Sequence, residues 1–149
     1  MADLIDRLKQ DHDHHREILA KLADANGAVR QNLFDQFKAE ATSHANAEEQ
    51  TLYAEMMADP ETQDEARHSV SEHKQIEDYV STLEGLETSS DDWMATFLKL
   101  KHRYEHHIEE EENEFFPKAK DEIEEARRAE LGDKFAERKD AELSEAKAA

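Results

Sequence analysis

Cysteine is absent from this 149-residue chain; glycine occurs three times, proline twice and tryptophan once, and no run of 18 apolar residues exists. Without cysteine there is no disulfide framework, no Cys-ligated zinc and no thiolate chemistry in any compartment, so any metal must be held by His, carboxylate or Tyr. The opening residues, Met1-Ala2-Asp3-Leu4-Ile5-Asp6-Arg7, carry no basic stretch leading into an apolar one. A soluble, cytoplasmic protein is the resulting expectation. Basic residues are scarce too: 19 Lys+Arg against 38 Asp+Glu leave a formal charge of −19. Such a surface repels phosphate backbones and anionic lipids, so neither nucleic acid nor membrane is expected as a partner, and cations are.

Apolar residues make up only 37% of the chain and the mean hydropathy is −1.02, close to the composition of disordered chains. Periodicity argues for order instead. The few breakers cut a chain of helix formers into four long segments and a tail. The first, about Asp3 to Ala25, ends at Asn26-Gly27. The second, about Val29 to Ala58, ends at Asp59-Pro60, where Asp59 is placed to cap the next helix and Pro60 to occupy its first turn. The third reaches about Leu86. The fourth starts from the polar turn Thr88 to Asp92 and runs to about Pro117. The remainder, from Ala119, is charged and helix-prone, with a break at Gly132 and fraying from Lys139 onward. These segments predict an all-α, up-down-up-down antiparallel four-helix bundle over residues 1–131, with a short C-terminal helical extension, a charged and partly frayed tail, over 132–149.

Each segment carries an apolar stripe at helical spacing, and each stripe is interrupted by polar residues at mid-helix. The fourth reads Trp93, Phe97, Leu100, Tyr104, His107, Glu111, Phe115, and the second reads Phe34, Phe37, Ala41, His44, Glu48, Leu52, Glu55. The third is Ala66, Ser69, His73, Ile76, Val80, Leu83, and the first is Leu8, His12, His15, Leu19, Leu22. A single histidine on such a face is ordinarily a satisfied core residue. Five imidazoles and two carboxylates at one level, with no Arg or Lys on the stripes to pair them, need a cation. His14 and His106 point aside, while His68 and His102 lie on the flanks.

An internal repeat supports this. His44-Ala45-Asn46-Ala47-Glu48-Glu49 aligns without gaps on His107-Ile108-Glu109-Glu110-Glu111-Glu112, and Asp11-His12 aligns with Glu72-His73. Two similar hairpins, each offering one His and one His-x3-Glu pair, would meet across a pseudo-twofold axis around two metals. A His and a Glu at i and i+4 share a helix face and reach one centre. Glu48 and Glu111 as bridges, with His12, His44, His73 and His107, give each metal two nitrogens and two oxygens, and a bridging oxo or hydroxo group adds a fifth donor. That set suits iron first, then manganese, and zinc last. His15 is the favoured additional ligand, leaving the other metal open; Glu77 and Tyr53 are rivals, as is a hydrogen-bonding role for His15.

The order His, His-x3-Glu, His, His-x3-Glu, with Leu8-Lys9-Gln10 before Asp11-His12 and Glu111-Glu112 before Phe115-Phe116-Pro117, resembles the hemerythrin-like HHE cation-binding domain over roughly residues 3–131. The resemblance implies a four-helix bundle around two non-haem irons. Oxygen carriers of that family have two third-helix histidines separated by three residues and a carboxylate five places after the fourth-helix His. Here Glu77 and Glu111 stand otherwise, which is more similar to the bacterial branch. That branch implies peroxide decomposition, nitric oxide handling, oxygen or redox sensing, or iron handling; O2, H2O2 or NO is the expected ligand, and a monomer or weak homo-oligomer the expected assembly. A diiron enzyme of catalase-like or NO-reductase-like activity, a sensing module and an iron buffer are the three functional classes carried forward. A ferritin-like bundle needs two Glu-x-x-His motifs, and Glu65-Ala66-Arg67-His68 alone fits, with its His off the stripe.

Overall fold

The computed structural model describes residues 2–148. Helix α1 spans Leu4–Asp24. Helix α2 spans Gly27–Glu48 and continues through a π-helical turn, Glu49–Tyr53, into Ala54–Met57. Helix α3 is Gln63–Glu84. Helix α4 spans Asp91–Glu110, then a second π-helical turn, Glu111–Phe115, and Phe116–Glu122. Helix α5 is Glu125–Ala148. The first four form the up-down-up-down bundle, and α5 packs against α1 and α2.

The ends of the helices follow local chemistry. Asp3 and Asp6 form a reciprocal capping box at the start of α1, and the Ser90 hydroxyl accepts from Trp93 N–H at 3.1 Å at the start of α4. Gly27 turns the chain into α2 with a φ of +60°, open to glycine at little cost. The third helix starts later than the sequence suggested. Asp59 accepts from Glu61 N–H at 3.0 Å within a turn, and α3 begins at Gln63 after Thr62, whose hydroxyl donates to Met56 C=O at 2.8 Å.

Two apolar clusters occupy opposite ends of the bundle. One gathers Leu19, Leu22, Phe34, Phe37, Leu83, Trp93, Phe97 and their neighbours; the other gathers Leu4, Ile5, Leu8, Leu52, Met56, Phe116, Leu131 and Phe135. Between them lies the polar level of His and Glu. The π-helical turns begin directly after Glu48 and at Glu111 itself, and each inserts an extra residue into the helical register. This corrects the second stripe: below the turn Met56 is buried and Glu55 is not. Helix α4 continues past Pro117, which stands in the first turn of the α-helical segment that follows the π-helical turn, the position where a missing N–H is tolerated.

Gly132 does not break the last helix. A Cβ there would stand 2.8 Å from Leu4 N and 2.9 Å from Asp3 C, so the glycine lets α5 lie against the start of α1. Leu131 and Phe135 are buried, Arg128 Nε donates to Asp3 at 3.1 Å and Lys139 Nζ to Asp11 at 2.7 Å. Lys139, where fraying was expected to begin, is thus anchored, and helix continues to Ala148; Ala149 lies outside the described residues. Among the described residues no helix is long and apolar enough to cross a membrane.

Candidate metal centre

His12, His15, His44 and His107 are buried, as are Glu48 and Glu111, while His73 retains 11% exposure. Their metal-facing atoms converge. Glu48 points one oxygen at His44 Nε2 (3.8 Å) and the other at His73 Nε2 (3.2 Å), so it reaches a histidine from each hairpin. Glu111 Oε1 lies 3.2 Å from His107 Nε2 and 3.5 Å from His12 Nε2. Two ligand groups result: His12, His44 and Glu48, and Glu48, His73 and His107, with Glu48 common to both.

Glu111 is less free than its repeat partner, because its Oε2 accepts a short hydrogen bond from the Tyr53 hydroxyl. Tyr53 therefore stands beside the centre as a donor to a candidate ligand. His15 belongs to neither group; its Nδ1 shares a 2.6 Å hydrogen bond with the Tyr104 hydroxyl and its Nε2 is buried without a partner. Glu77 is exposed on α3. His14, His102 and His106 are exposed too, and so is His68, whose Nε2 lies 2.8 Å from Glu110 at the surface.

The four inward histidines are held from behind by carboxylates the sequence reading did not single out. His44 Nδ1 meets Asp11 at 2.8 Å, His107 Nδ1 meets Glu72 at 2.8 Å, His12 Nδ1 meets Glu112 at 2.7 Å, and His73 Nδ1 meets Glu49 at 3.4 Å. An ionised carboxylate only accepts, so each Nδ1 carries a proton and Nε2 is the nitrogen whose lone pair, once free of a proton, faces the centre. Neighbouring residues on a helix lie about 100° apart. In each doublet, Asp11-His12, Glu48-Glu49, Glu72-His73 and Glu111-Glu112, one member consequently faces the core and the other the adjacent helix. The braces run round the bundle, α1 to α2, α2 to α3, α3 to α4 and α4 back to α1. The repeat contained this signal, since both members of each doublet recur.

The donor set fits a pair of cations. His12, His15, His44 and His107 Nε2, both Glu48 oxygens and Glu111 Oε1 are buried without a hydrogen-bond partner. Each such atom costs about 1–3 kcal/mol if nothing replaces water. Without a metal, protons take the cations' place. Burial disfavours the His12 imidazolium, but Glu111, 3.5 Å from its Nε2, the Glu112 hydrogen bond and the Glu48 charge outweigh it and raise its pKa to about 9. His107 is likewise raised to about 9, against its burial, by Glu111 and Glu72. Burial lowers His44 to about 4 despite Asp11, and pushes His15 well below the ordinary imidazole value. Burial and the Glu111 charge raise Glu48, while His107 and His12 overcome burial to hold Glu111 well below the carboxylate range.

A family model for the hemerythrin HHE cation-binding domain matches residues 3–119. The chain belongs to this family. The hemerythrin HHE domain here is similar to a crystal structure from Mycobacterium kansasii described as a hemerythrin HHE cation binding domain-containing protein, the Rv2633c homolog. The TM-score is 0.86 at 26% identity, covering 97% of this chain and 90% of that one. No curated protein matches. The family match stops before α5, whereas the structural likeness extends over it, so this helix is shared beyond the HHE core.

The two ligand groups of the HHE centre differ in their walls. Phe116 stacks on His12 with centroids 5.7 Å apart, and Phe135 of α5 meets His44 edge-on at 5.6 Å. Tyr53, the repeat counterpart of Phe116, lies 5.4 Å from His73. A cavity of about 420 Å³ opens between α2 and α3 and reaches His44, His73, His107 and Glu111.

Proposed function

We propose that this HHE domain holds two non-haem irons and handles a small oxidant or nitrogen oxide, O2, H2O2 or NO, in defence against oxidative or nitrosative stress. The observation that carries the reading is the convergence of six unpartnered buried atoms, Nε2 of His12, His44 and His107, both Glu48 oxygens and Glu111 Oε1, on one level of the bundle. Their identity, imidazole and carboxylate without sulfur, favours iron over zinc. An iron pair so placed supplies electrons and a Lewis-acidic position for a small ligand.

The protein's own part is to hold and orient. Glu48 spans the two groups, the braces fix the imidazole tautomers, and the apolar clusters close the bundle above and below the donors. Tyr53 keeps its proton, because burial and the charges of Glu111 and Glu48 push its pKa well above the ordinary phenol value. It stands ready to donate on the His73 side.

Metal analysis combined with visible spectra before and after dithionite, azide and peroxide tests this. The expected result is about two irons per chain, with absorption that bleaches on reduction and shifts with azide, and turnover of peroxide or NO. Reversible optical change without turnover would mean a sensor, an inert saturated centre would mean a buffer, and one zinc would overturn the iron reading.

A further inference from the structure

The pseudo-twofold repeat gives every residue near the centre a counterpart, and one pair of counterparts is markedly unequal. His15 and Tyr104 fill one flank with their 2.6 Å hydrogen bond. Their counterparts by the repeat alignment are Ile76 and Ala41, which cannot make such a bond and present only apolar atoms. Both line the 420 Å³ cavity. The space a His–Tyr pair fills on one side is empty on the other.

That volume is more than tenfold the ~30 Å³ share of one water. It lies within the ~300–1,000 Å³ range of pockets for organic ligands. O2, NO and H2O2 need only a fraction of it. The wall is apolar, with Ala41, Val70, Ile76, Val80 and Ile108, and Val70 is 36% exposed at the mouth. The rim is charged in both signs, with Lys38 paired to Glu84 at 2.7 Å and with Lys74, Glu49 and Glu77 beside them. Three carboxylates, Glu49, Glu77 and Glu84, stand there against two lysines, so the outer end does not draw in an anion by charge and the apolar wall has to seat the body of a ligand. The polar end of the cavity is its floor, where the unpartnered Nε2 atoms of His44 and His107 and Oε1 of Glu111 stand.

We infer that the cavity binds an organic molecule with an alkyl or aryl body along the α2–α3 wall and an oxygen-donor head, carboxylate or hydroperoxide, at the His73/His107 side of the centre. The placement of the head rests on the metal reading above. The seating of the body does not. The site thereby extends the peroxide class from H2O2 to organic hydroperoxides.

Calorimetric titration of the metal-free and iron-loaded full chain with decanoate, and with acetate as a head without a body, tests both parts. Decanoate is expected to bind one per chain in both forms, with acetate at least a hundredfold weaker. Val80→Phe, which fills the cavity, and Val70→Trp, which blocks its exposed mouth without touching the core, are each expected to weaken decanoate at least tenfold with helix content and iron content unchanged. In the iron-loaded protein, decanoate and cumene hydroperoxide should both shift the visible spectrum. A shift by cumene hydroperoxide alone selects the hydroperoxide, and a shift by decanoate alone the carboxylate. Absence of decanoate binding, or binding that neither variant weakens, overturns the inference whatever the iron content. Binding of decanoate to a protein that takes up no iron sinks the metal reading and the placement of the head, and leaves the apolar body site established.

Discussion

The two halves of the centre are built from repeated sequence and differ in how firmly they are held. Around His12 and His44 the walls are Phe116, Phe135 and the His15–Tyr104 pair, and each brace is backed by a cation: Asp11 by Lys139 at 2.7 Å and Glu112 by Arg16 at 3.1 Å. Around His73 and His107 only one brace is so backed, Glu72 by Arg103. Among the described residues no Lys or Arg lies within 4.0 Å of Glu49, and its bond to His73 is long at 3.4 Å. Repetition of ligands thus does not produce equal sites. The half with two cation-backed braces is suited to retaining a metal, and the half with the weaker His73 brace to exchanging what binds beside it, the cavity reaching His44 as well as His73 and His107.

Removing a shared ligand is the most severe way to test that contrast. Glu48 is common to both groups, so Glu48→Ala is expected to take metal content from about two per chain to none. His44→Ala or His107→Ala should lose at least one metal, and the exposed His106→Ala none. Equal loss across all four, read by elemental analysis, breaks the assignment. Stripping the metals from the native protein comes next. A ligand at a thousand times its Kd stabilises by about 4 kcal/mol. For a domain of this size that is on the order of 10 °C in Tm, and an unchanged melting curve would contradict it.

The pH dependence separates protons from metals. In the metal-free protein His12 and His107 are raised to about 9 from 6.5. Their protonated forms thus contribute stability that is complete below 6.5 and lost as the pH climbs through 9. A metal has to displace those protons, so its affinity should climb over the same interval in which the metal-free fold weakens. Chelator competition across pH 6.5–9 gives the slope, and a flat line would show that these imidazoles do not bind. The finest discrimination lies in the braces. Loss of an outer hydrogen-bond partner typically costs metal affinity about 10–100-fold, and Asp11→Asn is expected in that range. Glu49→Gln, which weakens a bond already long, should cost less than tenfold in chelator-driven release; the reverse order would invert the contrast between the halves.

Much of this was legible in the residues. The stripes place His12, His44, His73, His107, Glu48 and Glu111 at one level because helical spacing and burial are local properties, and the break at Asn26-Gly27 and the cap at Ser90 are written in short-range chemistry. What escaped is non-local. Periodicity assumes one register, so it assigned Glu55 to the core where the π-helical turn installs Met56. Gly132 reads as a breaker until its neighbour in space, Leu4 at the other end of the chain, is known. Asp11, Glu49, Glu72 and Glu112 look like part of a solvated acidic surface, since only the adjacent helix shows what each one touches.

The ring of braces bears on how the molecule comes together. Each hairpin orients one of its histidines by itself, His44 through Asp11 in the first and His107 through Glu72 in the second. Each borrows the orientation of the other, His12 from Glu112 and His73 from Glu49. A hairpin on its own is half-armed. The full set of lone pairs faces inward only after the two hairpins dock, so high-affinity capture of metal is gated by completion of the fold, and a partly assembled chain has no finished centre at which to trap a stray ion.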